Sequence, residues 1–328
     1  MKKIIYIIII ALAAYACNNS GSKRFLPNCS GKAGELVIVI DNKFWESNVG
    51  DTLKYTLAQS QIALPQPEPL FTLINVPPAG FSNIFRIHRN IIRVNISSSI
   101  KEPSIQIEEG KWANFQLIID INAPDKESFI ELFNDNKIKI ITKILNTERD
   151  RTVRTHKKLE EREIREQIMR EHKVSMVFPQ GFRIDVDSAS FVWISHTEPD
   201  VDQGVLIYYY PYYEESDLSK ESLIKKRNEV LKKHVPGSSP GSYMTTEDLV
   251  PVYYNSYYKD NGLYIAELRG LWKLEKGFMG GPFVSNTTVD TVYNRIVTVE
   301  GYIFAPNREK RNLVRQVEAI INTLQITK

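Results

Sequence analysis

Leu263-Tyr-Ile-Ala-Glu-Leu-Arg-Gly-Leu-Trp-Lys-Leu274 is the stretch whose reading decides the fold. It is rich in apolar and aromatic residues and reads as one long strand. Under two-residue alternation Tyr264, Leu268 and Trp272 point to one face, and Glu267 and Arg269 to the other. Extended segments surround it: Val252 to Tyr258 before, Phe283 to Val289 and Arg295 to Phe304 after. Between them Gly277-Phe-Met-Gly-Gly-Pro282 lacks the lysine of a phosphate-cradling loop and reads as a hairpin connection. These segments make an antiparallel sheet.

Working outward, Ser175 to Phe178 and Phe182 to Val186 flank Pro179-Gln-Gly181, a turn signal between strands. Phe191 to Ser195 and Val205 to Tyr210 read as further strands. Leu223, Ile224, Leu231 and Val235 give one face of a helix that ends at Pro236-Gly237. Leu313, Val314, Val317, Ile320, Ile321 and Leu324 form the apolar stripe of a closing helix. Residues 174–328 are therefore expected to form an α+β domain, an antiparallel sheet with helices on one face. The order of elements is loosely similar to the PsbP/Mog1-like fold, an analogy of fold only.

Residues 34–146 have a different rhythm. Glu35 to Ile40, Phe71 to Val76, Ile91 to Ile96 and Phe115 to Ile121 read as strands. A helix is expected from Asp51 to Ser60. Another is expected to start at Pro77-Pro78 and to place Phe81, Ile84, Phe85 and His88 on one face. Ala123-Pro124-Asp125 opens a third, with Asp125 and Glu127 suited to its positive end. The sum is an N-terminal α/β sandwich, one sheet with helices over it. Residues 147–173 are very polar. Glu161 with Arg165 and Glu166 with Arg170 are favourable four-residue pairs. This stretch reads as a charged helical connector between the two domains.

The amino-terminal end speaks of location. Lys2 and Lys3 precede an apolar run, Ile4 to Ala14, of 11 residues. A spanning helix needs about 20 residues, so the run fits a signal peptide, residues 1–16. Ala-Tyr-Ala-Cys17 is a loose version of the bacterial lipoprotein box, and Cys17 is the expected site of acylation. Several acyl chains would hold such a protein firmly to a membrane. Residues 17–33 read as a flexible tether. No acidic cluster follows Cys17, which points to the periplasmic side of the outer membrane. Net charge is +3, two of which come from Lys2 and Lys3, and this argues against a nucleic-acid partner. The only other cysteine, Cys29, has no partner in the chain once Cys17 carries lipid.

Four stretches together resemble one family: Leu64-Pro-Gln-Pro-Glu-Pro-Leu-Phe71, Val76-Pro-Pro-Ala-Gly-Phe-Ser-Asn-Ile-Phe-Arg-Ile-His-Arg-Asn90, Glu267-Leu-Arg-Gly-Leu-Trp-Lys273 and Gly280-Gly-Pro-Phe283. The resemblance is to an uncharacterised lipoprotein family of Bacteroidetes-type bacteria, a domain of unknown function. It implies an envelope location and carries no activity, ligand or catalytic residue.

Chemistry candidates are few. The histidines, His88, His156, His172, His196 and His234, are scattered, with no helical pair and no Cys/His grouping, so no metal site is expected. No Gly-x-Ser-x-Gly elbow occurs, and no cofactor is implied. Arg86, His88, Arg89 and Arg93 form a basic cluster at a helix-to-strand junction, suited to the helix dipole or to an anion. Glu267 and Glu300 lie on neighbouring strands and would be an acid–base pair if they converged. Otherwise Glu267 and Arg269 are a surface ion pair.

Tyrosine is the oddity: 13 of the 16 lie after residue 200, so the second domain carries nearly all of them. Tyrosine suits strands, yet consecutive tyrosines must point to both faces. Exposed tyrosines are good contact residues, apolar in body with a polar tip. The expectation is a membrane-anchored, non-enzymatic binding module that meets an envelope protein or glycan through Tyr209, Tyr257 and Trp272. The alternative is an envelope enzyme acting on glycan or peptide with Glu267 and Glu300. A third reading is a spacer or assembly factor that uses the charged connector.

Overall fold

The structure is a computed structural model and describes residues 25–327. The signal segment and Cys17 lie outside the described residues. The first domain is built on a five-stranded sheet: β1 (Glu35–Val39), β2 (Thr72–Val76), β3 (Asn90–Ile96), β4 (Ser104–Glu109) and β5 (Leu117–Ala123). Their spatial order is β2-β1-β3-β5-β4, all parallel except the edge strand β4. The central strands are apolar runs because both faces are covered. On one face lie α1 (Asn42–Trp45), α2 (Asn48–Leu57) and the long α4 (Lys126–Lys158), burying Leu36, Ile38, Leu53, Phe129, Phe133 and Ile140. Asp125 caps α4 by accepting from the Ser128 amide at 2.8 Å.

The other face holds a smaller cluster, Val37, Val39, Ile91 and Ile118, roofed by Phe81, Phe85 and Trp112. Here the structure corrects the helix expected from Pro77. The segment is a 3-10 turn (Pro78–Gly80) followed by one turn of helix, α3 (Asn83–Arg86). Phe81 and Phe85 pack down, but Ile84 is 70% exposed and His88 points elsewhere. Gly80 and Ser82, on either side of Phe81, favour breaking the helix over extending it.

The connector also differs. Helix is continuous from Lys126 to Lys158 and then breaks before α5 (Arg162–His172). The break is held by the segment expected to be a hairpin turn: Glu161 N donates to Phe178 O at 2.9 Å, and Gln180 N donates to Leu159 O at 2.6 Å. Nor is the polar stretch merely solvated, since Glu148 and Arg151 are buried against the first sheet. Part of the expected tether is docked as well. Ser30 N donates to Ile87 O at 2.8 Å and Arg89 N to Ser30 O at 2.9 Å.

The second domain is an eight-stranded antiparallel sheet. Its strands are β7 (Arg183–Ser188), β8 (Phe191–Glu198), β9 (Val201–Pro211), β10 (Tyr243–Thr246), β11 (Tyr253–Tyr258), β12 (Tyr264–Glu275), β13 (Gly280–Asp290) and β14 (Arg295–Phe304). The order is β10-β12-β13-β14-β9-β8-β7, and β11 pairs beside β10 on the same edge of β12. Residues 174–175 form β6 (Val174–Ser175), which pairs with β15 (Gln325–Ile326) and not with β7.

The α+β expectation holds, with one difference. Helices cover both faces of this sheet. α5 and α7 (Arg311–Ile321) bury Ile164, Ile168, Val314, Val317 and Ile320 on one side. α6 (Lys220–His234) buries Leu223 and Leu231 on the other. Close seating of α7 depends on Gly301, where a side-chain Cβ would lie 2.7 Å from Val317.

The two domains share contacts. Glu68, in the proline-rich loop of the first, accepts from the backbone amides of Lys310 at 2.7 Å and Arg311 at 2.8 Å. Arg311 Nη1 donates to Pro69 O, and Arg315 Nη2 to Leu70 O, each at 2.7 Å.

Candidate functional site

Strand pairing sorts the tyrosines. In the β11–β12 pair Tyr258 lies opposite Tyr264 and Tyr254 opposite Leu268, so Tyr254, Tyr258 and Tyr264 share the α6 face. Tyr253 and Tyr257 point the other way. The facing wall is the 3-10 turn Glu215–Leu218, whose end runs into Ser219, the cap of α6. Between them is an open cleft of about 540 Å³, lined by the three tyrosines, Leu218 and Val289, with Glu215, Ser216 and Ser219 supplying polar groups. That size suits a small ligand. Tyr254 Oη donates to Leu218 O at 3.2 Å and ties the two walls together. Burial, and then the neighbouring Tyr264, raise the Tyr254 pKa, so its hydroxyl stays a donor. Tyr258 and Tyr264 meet edge to face, with ring centroids 5.4 Å apart. Tyr258 remains 73% exposed, a large aromatic surface with one face free.

Other candidates are placed elsewhere. Tyr209 is half-buried on the α5 side of the sheet. Its hydroxyl donates to Ala189 O and lies 3.2 Å from His172 Nδ1, and the Arg295 guanidinium sits 4.1 Å above its ring. Tyr257 is half-buried, and burial together with Glu267 pushes its pKa up to about 12. Neither is a free contact residue. Trp272 is a core residue, 2% exposed, and its Nε1 donates to Ile303 O at 3.1 Å.

The acid–base pair is corrected outright. Glu267 pairs across to Asn286 and Asn286 to Val299, the residue before Glu300. Glu267 and Glu300 therefore point to opposite faces of one sheet. Glu300 is fully buried on the α6 side and takes two bonds of 2.7 Å from Arg227. Glu267 is on the α7 side, bound by Arg269 at 2.7 Å, and Arg269 also binds Glu318. Burial opposes the charge on Arg269, but Glu318 and Glu267 outweigh it and raise its pKa. The expected surface pair is thus a three-membered, largely buried ion cluster.

The basic cluster is dispersed too. His88 is buried, 3.4 Å from Glu35 Oε2 and 3.3 Å from Asn90 O. Arg89 binds Glu148 at 2.8 Å, and Arg93 binds Asp120. Arg86 stays exposed. Cys29 is a free, half-buried thiol. Sequence periodicity could find the tyrosine strands. It could not find the 3-10 turn that completes the cleft, because that turn is polar and brief.

Comparison with known proteins gives two sequence matches. Residues 29–157 match DUF8532 and residues 161–323 match DUF4837, each a domain of unknown function. The gap between them coincides with the break between α4 and α5. No curated protein matches the chain by sequence. Among solved structures, the Ran-binding protein Mog1p of Saccharomyces cerevisiae is similar, with 10% identity and a TM-score of 0.32 over 48% of this chain and 91% of that one. LpqN of Mycobacterium tuberculosis, described as involved in cell envelope biogenesis, is similar at 13% identity and a TM-score of 0.30, over 47% of this chain and 83% of that one. At these scores the likenesses bear on neither activity nor partner. By sequence, the chain joins a stretch matching DUF8532 to one matching DUF4837, two domains of unknown function.

Proposed function

We propose that this chain is an envelope lipoprotein that binds a glycan, without catalysis, in the cleft of Tyr254, Tyr258 and Tyr264. The single observation that carries the reading is the convergence of three tyrosines, one of them largely exposed, on one open cleft of about 540 Å³. A sugar ring has apolar C–H faces and a hydroxyl rim. The tyrosine faces suit the first, and the Glu215 carboxylate with the Ser216 and Ser219 hydroxyls suits the second. The anchor rests on the sequence: the short apolar run after Lys2 and Lys3 ends at Cys17. Acyl chains on Cys17 would hold the protein to the outer membrane, facing the periplasm.

The experiment is a binding titration of the full-length protein, extracted in mild detergent, against oligosaccharides released from the envelope of its own cell. Tyr258→Ala is expected to weaken binding about tenfold, from loss of one stacking surface. The exposed ring should be dispensable for folding, so the unfolding midpoint should stay in place. Binding that is equal in the two proteins, or absent from both, overturns the glycan reading. Capture of a peptide instead would keep the cleft and change its ligand class. Mass spectrometry of the same preparation reads the acyl mass on Cys17.

A further inference from the structure

We infer that Glu171, His172 and Asp187 form a binding site for a divalent transition-metal ion, zinc being the ion their donors fit. Each offers one ligand atom, and the three atoms lie within 4.8 Å of one another. They line an open cleft of about 440 Å³ with Ser188 and Ala189, away from the tyrosine cleft. One imidazole nitrogen with carboxylate oxygens is a donor set zinc accepts, with water completing the shell.

Local structure brings the three together. Glu171 and His172 are the last two residues of α5, and Lys173 turns the chain out of the helix with a left-handed φ of 59°. Asp187 comes from β7 beside them. The C-terminal end of a helix carries partial negative charge and favours a cation there.

The surroundings of His172 are the independent support. The ring is 3% exposed, so its orientation is set by the protein. Nδ1 faces the Tyr209 hydroxyl at 3.2 Å, and that hydroxyl gives its single proton to Ala189 O. Nδ1 must then be the donor toward Tyr209. Nε2 is left facing the carboxylates, 2.8 Å from Asp187 Oδ1. With the proton on Nδ1 alone, a lone pair and two anionic groups converge where a cation would neutralise them.

The outer ring is rigid. Arg295 stacks on Tyr209, donates to His172 O at 2.7 Å and is held by Asp290 at 2.8 Å. Gln167 Nε2 donates to Asp187 Oδ2 at 2.6 Å and leaves the other oxygen for the ion. Outer-shell hydrogen bonds of this kind fix the tautomer and direction of metal-binding groups. Glu171 stays at the exposed rim, bound by Arg170 at 2.6 Å, where an incoming ion can take it over. The competing account is a plain ion pair in which Nε2 also carries a proton and donates to Asp187.

The test uses the full-length, untagged protein stripped with a chelator. Co2+ is titrated in as a coloured probe, and Zn2+ is then used to displace it. One equivalent of tight uptake is expected, with the intense visible absorption of a low-coordinate Co2+ centre. Glu171→Gln, at an exposed position, should weaken uptake about tenfold or more, and Asp187→Asn likewise. Circular dichroism checks that each variant stays folded. No stoichiometric uptake, or uptake that neither variant weakens, overturns the site and leaves the ion pair.

Discussion

Glu68 caps the helix that begins at Arg311: its carboxylate takes the Lys310 and Arg311 amides at 2.7 and 2.8 Å, although 243 residues separate Glu68 from Arg311. The first domain thus supplies the end group for the last helix of the second. Pairing a carboxylate with the positive end of a helix is favourable, and here both partners are buried.

Removing that carboxylate should loosen both the helix and the domain contact. Glu68→Ala is expected to cost about 2 kcal/mol, the upper end for a lost helix cap. Denaturant unfolding monitors it, and hydrogen exchange should show faster amides at the start of α7. An unchanged midpoint would mean that the cap is replaced by water.

The Arg227–Glu300 pair supplies a second prediction. Arg227 donates twice to Glu300 at 2.7 Å and once to Thr246 at 2.8 Å, all out of solvent. Breaking a buried pair from one side strands a charge and costs about 3–5 kcal/mol. Arg227→Met alone should therefore destabilise strongly. Adding Glu300→Leu should restore part of the loss, because the stranded charge goes with it. A double variant as unstable as the single would refute this account.

His156 predicts a pH effect. Burial lowers its pKa from 6.5 to about 4. Between those values the unfolded chain binds a proton that the folded chain refuses, so stability rises with pH across that window. The contribution is fully present above about 6.5 and is lost as pH falls toward 4, by about 3 kcal/mol at most. Carboxylates titrate nearby, so the readout is the difference between the wild-type protein and His156→Gln. That difference should shrink steadily from pH 7 to pH 4, and a pH-independent difference would contradict it.

Gly301 supplies the last. A Cβ there meets Val317 at 2.7 Å, so Gly301→Ala must push α7 off the sheet. A cost of about 1–3 kcal/mol is expected from overpacking. Denaturant unfolding measures it, and a midpoint equal to that of the wild-type protein would argue against the clash.

By itself the sequence determined most of the strands, β4 and β10 excepted, because apolar runs and two-residue alternation are local properties of the backbone. The long β12, the α6 and α7 stripes and the parallel strands of the first sheet were legible in this way. Local pattern also marked the tyrosine strands β11 and β12 as unusual. Only the tertiary structure decided which side chains meet. Glu267 and Glu300 looked like neighbours, but strand register put them on opposite faces, and register depends on pairing partners that a single strand does not encode. Tyr209 looked like a surface contact until Ala189, 20 residues earlier, and His172 were folded against it. Glu68 lay in a proline-rich loop with no visible purpose until α7 arrived over it. In each case the deciding interaction joins residues distant in the chain, and its free energy exists only once the two sheets and their helices have closed around it.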